Sequence, residues 1–167
     1  MPGHRTVRTA ESGIPVPLSS FVGRVAELEQ VRHLLSRHRL VTIAGPGGAG
    51  KTRLAGEVIG DPDSGSVLWV SLADSADVTR SISTALGAST NSDVTALADA
   101  LTGPEMLLVL DNCEHMVADA AEFVDRALRR SPALRVLVTS RVPLDVEGEV
   151  IWRIPPLSLP EPGDGER

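Results

Sequence analysis

The chain has 167 residues, a formal net charge of −6 and a pI of about 5.2, with two Phe, two Trp, no Tyr and one cysteine. The acidic balance argues against direct nucleic-acid binding, and so few aromatic rings argue against a platform that stacks bases. One cysteine excludes an internal disulfide and fits the reducing cytoplasm, and no apolar run reaches the roughly 18–20 residues of a membrane span. We therefore expect one cytoplasmic domain without membrane contact.

The first part of the chain, residues 1–18, contains prolines and glycines without hydrophobic periodicity. This composition predicts a flexible lead-in. From residue 19 onward the pattern changes, and apolar residues at helical spacing predict a first helix: Leu28, Val31, Leu34 and Leu35. An apolar run at 40–44 then predicts the first strand, and residues 53–59 predict a helix shortly after it.

Eight residues between this strand and this helix fit the phosphate-loop pattern G-x-x-x-x-G-K-[ST]: Gly45, Pro46, Gly47, Gly48, Ala49, Gly50, Lys51 and Thr52. A glycine loop between a strand and a helix directs backbone N–H groups and the positive end of the helix dipole at one point, which makes an anion site. We expect the four glycines to allow positive φ and close approach of the backbone. Lys51 then reaches the β- and γ-phosphates, and Thr52 places its hydroxyl on Mg2+. The loop predicts binding of a nucleoside triphosphate or diphosphate.

The remainder of the chain alternates strand and helix patterns. Strands are predicted at 66–71, 106–110, 134–139 and 150–154, and helices at 75–87, 92–102 and 116–128. Gly87 and Gly103 are the expected C-terminal stops of the first two of these helices. The alternation predicts an α/β fold over residues 19–157, a P-loop three-layer α/β/α sandwich with a mainly parallel central sheet. Residues 158–167, rich in Pro, Gly and charge, predict a frayed tail.

Asp111 follows the apolar strand at 106–110. Ligands bind at the carboxyl ends of parallel strands, where the phosphate loop also lies, so this carboxylate can hold magnesium directly or through water. The alternative is a helix N-cap. Asn112 can orient a water molecule but cannot accept its proton. Glu114 and His115 either reach the γ-phosphate or are solvated loop residues, so catalytic turnover has the least support.

Arg141 completes a Thr-Ser-Arg triplet at the end of the next strand and therefore arrives at the same rim. A guanidinium matches phosphate geometry, so Arg141 is a candidate sensor of the γ-phosphate. The alternative is a surface ion pair with Asp145 or Glu147. Cys113 is expected to be a small buried filler whose pKa is raised by the neighbouring carboxylate.

Five segments of the chain, taken together and in this order, resemble a known family: residues 21–24, 45–55, 107–115, 139–141 and 148–157. They are similar to the nucleotide-binding domain of the NB-ARC-like signal-transduction (STAND) ATPases. More narrowly, they resemble that domain in large actinobacterial transcriptional regulators with a LuxR-type or related DNA-binding domain. The resemblance extends over about residues 19–160, and the Asp-Asn-Cys-Glu-His segment that begins at Asp111 is its most specific part.

The resemblance implies ATP or ADP and Mg2+ as the bound groups. It implies contacts from Val22, Gly23 and Arg24 to adenine and ribose, from residues 45–53 including Arg53 to the phosphates, from Thr52 and Asp111 to the metal, and from Arg141 to the γ-phosphate. In such proteins ADP holds an inactive form, and exchange for ATP permits assembly and signalling. The preference for adenine over guanine depends on the resemblance alone.

Three functions remain open at this point. The first is an ATP/ADP-binding regulatory switch domain with slow or absent hydrolysis, whose site includes Asp111, Asn112, Glu114 and Arg141. The second is an active small NTPase or phosphotransferase. The third is a truncated remnant that acts only through protein partners, because the family's helical lid, winged-helix, sensor and DNA-binding regions do not follow Leu157. Besides nucleotide, the expected partners are other domains or copies of a larger regulator.

Overall fold

The computed structural model describes residues 7–9, 23–60, 65–89, 91–103 and 105–156. The described strands are β1 Val7–Thr9, β2 Leu40–Ala44, β3 Ser66–Ser71, β4 Met106–Asp111, β5 Leu134–Ser140 and β6 Glu149–Arg153. The described α-helices are α1 Val25–Arg37, α2 Lys51–Ile59, α3 Val78–Leu86, α4 Val94–Ala100 and α5 Val117–Arg130, and a 3₁₀ turn covers Cys113–His115. None of these helices is both long and apolar enough to cross a membrane.

The six strands form one sheet in the order β1-β3-β4-β5-β2-β6, and every neighbouring pair is parallel. Both faces of the sheet are covered. Val67 and Trp69 of β3 pack with α1 and α2, whereas Leu68 and Val70 pack with α3, α4 and α5. A strand that is buried on both faces reads as a continuous apolar run. The predicted α/β fold with a parallel central sheet is therefore confirmed.

The N-terminal edge of the sheet differs from the sequence expectation. Val7–Thr9 lies inside the predicted lead-in but forms β1, which pairs with β3 from Val7↔Val67 to Thr9↔Trp69. The backbone hydrogen bonds of a three-residue strand need no hydrophobic periodicity, so the sequence pattern gave no signal for it. The remainder of residues 1–18, and the whole predicted tail at 158–167, lie outside the described residues.

Two helices begin later than predicted because aspartate side chains cap them. The carboxylate of Asp77 accepts a hydrogen bond from the backbone N–H of Arg80 at 3.0 Å, and that of Asp93 accepts one from Ala96 at 2.7 Å. α3 ends at Gly87 as predicted, with φ of 67°. The predicted stop of α4 at Gly103 was wrong, because the helix is capped at Leu101. The N–H of Leu101 donates to the carbonyls of Leu97 and Ala98, and the N–H of Thr102 donates to that of Asp99, which closes the last turn.

The order of the strands decides where the functional side chains meet. β5 lies between β4 and β2, so the carboxyl ends of these three strands are adjacent at one edge of the sheet. Asp111 ends β4, Ser140 ends β5 and Ala44 ends β2. Asp111 and Thr52 of the phosphate loop are 59 positions apart in the sequence, yet the sheet brings both to this edge.

Candidate functional site

The phosphate loop turns tightly between β2 and α2. The N–H of Gly45 donates to the carbonyl of Ser140 at 3.2 Å, and the N–H of Ala49 donates to the carbonyl of Pro46 at 3.3 Å. Gly48 and Gly50 have φ of 76° and 89°, the left-handed region that favours glycine. These two positions confirm the expected backbone conformation.

The other two glycines of the loop have a different physical reason. Gly45 and Gly47 do not have positive φ, so the expectation was wrong for them. Space limits them instead. A Cβ on Gly45 would lie 2.3 Å from Cγ2 of Ile154, and a Cβ on Gly47 would lie 2.7 Å from Nη2 of Arg141. The loop is therefore packed against the segments that follow β5 and β6.

Lys51 is the first residue of α2 and is 6% exposed. Its Nζ donates to the carbonyl of Pro46 at 2.8 Å and lies 3.9 Å from Oε1 of Glu114. The lysine side chain therefore lies back over the loop. Arg53 lies in the same first turn of α2 and is half-buried.

Asp111 is the centre of a buried hydrogen-bond network at the ends of β4 and β5. Its Oδ1 accepts from the hydroxyl of Thr52 at 2.8 Å and from the hydroxyl of Thr139 at 2.5 Å. Thr139 in turn accepts from the N–H of Asn112 at 2.9 Å. Burial raises the pKa of the Asp111 carboxyl, the two hydroxyl bonds lower it, and the nearby charge of Glu114 raises it.

The residues after Asp111 turn away from the strand at once. Asn112 has φ of 62°, and the 3₁₀ turn begins at Cys113. Glu114 is brought to Lys51, whereas His115 is exposed. Cys113 is buried, as expected, and burial raises the pKa of its thiol far above the usual range, with the charges of Asp111 and Glu114 acting in the same direction.

Arg24 is a buried arginine beside the loop. Its Nη2 donates to the carbonyl of Ala49 at 3.1 Å and to the carbonyl of Pro155 at 3.5 Å. Its Nη1 is buried and has no hydrogen-bond partner among the described atoms. Gly23 precedes it with φ of 86°. Val22, the third member of the predicted adenine and ribose contact, lies outside the described residues.

Arg141 is exposed and lies over the phosphate loop at Gly47. The alternative surface pair with Asp145 or Glu147 does not form in the described part of the chain. Glu147 lies 3.4 Å from Arg129 instead, and the backbone N–H of Asp145 bonds to Glu149 at 2.9 Å. The structure thus brings Arg141 together with Lys51, Thr52, Asp111 and Glu114 at one edge of the sheet.

Sequence reasoning did not assign a site role to Thr139 or to the segment after β6. Thr139 bonds to Asp111, Ile154 packs against Gly45, and the carbonyl of Pro155 binds Arg24. A threonine at the end of the strand next to Asp111 was the available signal. The contacts of Ile154 and Pro155 depend on strand order, which periodicity alone does not give.

The arrangement has the chemistry of an anion-binding site. Beside it lie two side-chain oxygens that suit a hard cation such as Mg2+. Lys51 and the N-terminus of α2 supply positive charge, and Thr52 and Asp111 supply hydroxyl and carboxylate oxygens, which Mg2+ prefers. In the described ranges no group of three or more His, Cys, Asp or Glu side chains could hold a metal ion. Thr52 and Asp111 together offer one hydroxyl and one carboxylate, the kind of oxygen ligands that a magnesium ion would need from the protein.

Two mycobacterial proteins are similar in sequence to this chain, whereas no protein-family model matches it. Rv0894 of Mycobacterium tuberculosis (strain ATCC 25618 / H37Rv) is 43% identical over 152 residues, which are 85% of this chain and 38% of that protein. Rv0890c of the same strain, whose name proposes an HTH-type transcriptional regulator, is 37% identical over 136 residues, 77% of this chain and 15% of that protein. The chain thus spans well under half the length of these relatives.

Solved structures share the fold. A Signal Transduction ATPase with Numerous Domains (STAND) protein with a tetratricopeptide repeat sensor, PH0952 from Pyrococcus horikoshii, matches with a TM-score of 0.59 and 20% identity over 84% of this chain and 24% of that chain. A chain in the structure of Drosophila ORC bound to DNA matches with a TM-score of 0.51 and 16% identity over 84% of this chain and 97% of that one. At these identities the likeness concerns the fold.

Proposed function

We propose that this chain is an ATP- and ADP-binding regulatory switch domain of a larger signal-transduction or transcriptional-regulator ATPase, with slow or absent hydrolysis. The observation that carries the proposal is the convergence of Lys51, Thr52 and Asp111 at the carboxyl edge of the sheet. A phosphate loop, its lysine and a strand-end carboxylate in this arrangement fit the terminal phosphates of a nucleotide with its magnesium ion.

The phosphate contacts follow from the side chains. The Nζ of Lys51 donates to the carbonyl of Pro46. In the complex it would donate instead to phosphate oxygens, and that hydrogen bond is stronger because both partners are charged. Thr52 and Asp111 would hold Mg2+, which neutralises negative charge between the terminal phosphates. Arg141 lies over Gly47, and its planar guanidinium matches the geometry of a phosphate group held by the loop. We assign it the sensing of the γ-phosphate.

Arg24 supports a second contact region for the ligand. A buried N–H without a partner costs about 1–3 kcal/mol, so an acceptor on a ligand that reached its Nη1 would recover part of that cost. Nη2 of the same guanidinium donates to the carbonyl of Ala49, so the side chain lies beside the phosphate loop. With Val22 and Gly23 we assign Arg24 to the adenine and ribose, and Arg53 to the phosphate side.

Hydrolysis needs a group that positions the attacking water and takes its proton. Asn112 is an amide and takes no proton, whereas Glu114 is a carboxylate whose Oε1 lies 3.9 Å from Lys51. The second candidate function is therefore an active small NTPase, in which Glu114 would polarise a water molecule. The contact with Lys51 does not by itself direct the Glu114 carboxylate at a water molecule, so we rank the switch first.

The regulatory part of the proposal draws on the comparisons. The name of one relative proposes an HTH-type transcriptional regulator, and a structural neighbour is a STAND protein with a repeat sensor. The chain spans only part of each. We therefore propose that its partners are nucleotide and other domains or copies of such a regulator, with DNA contact left to another domain.

Calorimetric titration of the nucleotide-stripped chain with Mg·ADP and Mg·ATP tests nucleotide binding. Lys51→Ala removes a charge-assisted bond worth about 1.5–3 kcal/mol, so affinity should fall roughly 10- to 150-fold. Arg126→Ala is the matched control, because it also removes one positive charge, from an exposed pair with Glu122 on α5. Equal affinities for the wild type and Lys51→Ala would contradict the phosphate-loop assignment.

A further inference from the structure

The connection from β5 to β6 is unusual for a parallel sheet. Both strands run in the same direction on either side of β2, and residues 141–148, hereafter the return loop, join them without a helix. Parallel strands commonly need a crossover of a dozen or more residues, usually a helix. The return loop therefore needs another source of order, and it begins with Arg141.

A single carboxylate supplies that order. Oε1 of Glu149 accepts from the N–H of Leu144 at 2.9 Å, and Oε2 accepts from the N–H of Asp145 at 2.9 Å. Oε1 also accepts from the hydroxyl of Thr42 at 2.6 Å. Asp145 has φ of 64°, a conformation that persists only where the surroundings impose it. Glu149 thus fixes the middle of the return loop.

The same carboxylate ties the return loop to the strand that carries the phosphate loop. Thr42 is fully buried in the centre of β2, two residues before β2 ends at Ala44. Leu144 is also buried and packs in the core beside α5. At the other end, the N–H of Val142 bonds the hydroxyl of Ser140 at 3.3 Å. Only a short segment, with Arg141 at its start, lies between these fixed points.

We propose that Glu149 is a positioning residue for Arg141. It holds the return loop so that the guanidinium lies over Gly47, and in this way it sets the preference of the site for ATP over ADP without touching the nucleotide. This inference rests on the proposed function, in which Arg141 senses the γ-phosphate. Glu149 lies at the end of the return loop, whereas Arg141 lies at its start, beside the site.

The test is a double-mutant cycle on the ratio of the Mg·ATP and Mg·ADP affinities. We expect Arg141→Ala to lower ATP affinity about tenfold, the loss of one charge-assisted bond, and to leave ADP affinity within about twofold. Glu149→Ala should lower ATP affinity in the same direction, about 3- to 10-fold. The double variant should bind ATP no more weakly than Arg141→Ala alone, because both substitutions remove the same interaction, that of Arg141 with the γ-phosphate.

Two further variants separate positioning from general structural support. Glu147→Ala is the matched control, since it removes a carboxylate from the same loop. The Glu147 side chain is 86% exposed, so its loss should not change the ratio of the ATP and ADP affinities. Thr42→Val keeps the shape of the side chain and deletes one of the three bonds to Glu149, so a smaller shift in the same direction is expected. It also carries the test if Glu149→Ala fails to fold.

Amide hydrogen exchange gives a readout that needs no nucleotide. The N–H groups of Leu144 and Asp145 should exchange faster in Glu149→Ala and stay slow in Glu147→Ala. If Arg141→Ala changes the affinity ratio and Glu149→Ala does not, the inference is wrong. It is equally wrong if Glu149→Ala weakens ATP and ADP alike. If Arg141→Ala itself leaves the ratio unchanged, the sensing role of Arg141 fails, and this inference with it, while nucleotide binding is judged separately by Lys51→Ala.

Discussion

At the scale of single residues, Asp111 is held between opposing influences. Burial of its carboxylate, which is 3% exposed, disfavours the charge and raises its pKa. The hydroxyls of Thr139 and Thr52 donate to the same oxygen and act in the other direction. A bound cation would favour the ionised form. The buried carboxylate therefore lowers the stability of the ligand-free fold and in return favours binding of the cation.

Asp111→Asn separates these two effects. The amide oxygen can still accept from Thr52 and Thr139, and the buried charge is gone, so the melting temperature of the nucleotide-free chain should not fall. Nucleotide affinity in magnesium should drop by about 1.5–3 kcal/mol, whereas affinity in chelator should stay close to that of the wild type. The measurements are thermal unfolding and titration with and without Mg2+. Equal losses of affinity in both conditions would rule out the metal role.

Some residue-level features could not be predicted from the sequence. The bonds of Arg24 join it to Ala49, 25 positions away, and to Pro155, 131 positions away. Such contacts depend on the order of strands in the sheet, which a local pattern does not contain. The loop lysine was predictable because its neighbours in sequence are also its neighbours in space, and Lys51 bonds Pro46 only five positions away.

At the scale of elements, the buried strands were the most predictable part. The sequence predicted Leu40–Ala44 and Ser66–Ser71 with the bounds that the structure has, because parallel strands buried on both faces leave continuous apolar runs. Helix ends were less predictable. The predicted helices began at 75 and 92, whereas Asp77 and Asp93 cap α3 and α4 and the helices begin one residue after each aspartate.

The capping bond of Asp93 can be tested at this scale. Asp93→Ala removes the acceptor for the N–H of Ala96 and should lower the free energy of unfolding by about 1 kcal/mol. For a chain of this length that lowers the melting temperature by about 2–4 °C. Asp93→Asn is the control and should retain most of the stability, because asparagine caps about as well. Similar melting temperatures for Asp93→Ala and the wild type would show that the cap contributes nothing.

At the scale of the whole molecule, three distant parts of the chain meet at the phosphate loop. Arg24 precedes α1, Ala49 lies in the loop, and Pro155 follows β6. Ile154 reinforces the junction, since its N–H bonds the carbonyl of Ala44 at 2.9 Å and its side chain packs against Gly45. A ligand at the loop is therefore expected to stabilise the start and the end of the described domain together.

Arg24→Met tests this junction because it keeps an unbranched apolar stem and deletes the guanidinium. At 100 times its Kd, Mg·ADP should stabilise the wild type by about 2.7 kcal/mol, a rise in melting temperature of roughly 5–10 °C. At the same ADP concentration the rise should be clearly smaller in Arg24→Met, since both the bond to Ala49 and the donor proposed for the nucleotide are lost.

Arg32→Met is the matched control for that experiment. Arg32 also lies on the α1 side of the sheet and donates to a backbone carbonyl, that of Glu57 in α2, at 2.9 Å, but it does so away from the phosphate loop. Its loss should lower the melting temperature without ADP and leave the ADP-induced rise unchanged. If Arg24→Met behaves in the same way, Arg24 only supports the fold. A loss of the rise in Arg24→Met alone would show that Arg24 supports nucleotide binding at the loop and not only the fold. A substitution that only destabilises the fold lowers the melting temperature with and without ADP by a similar amount.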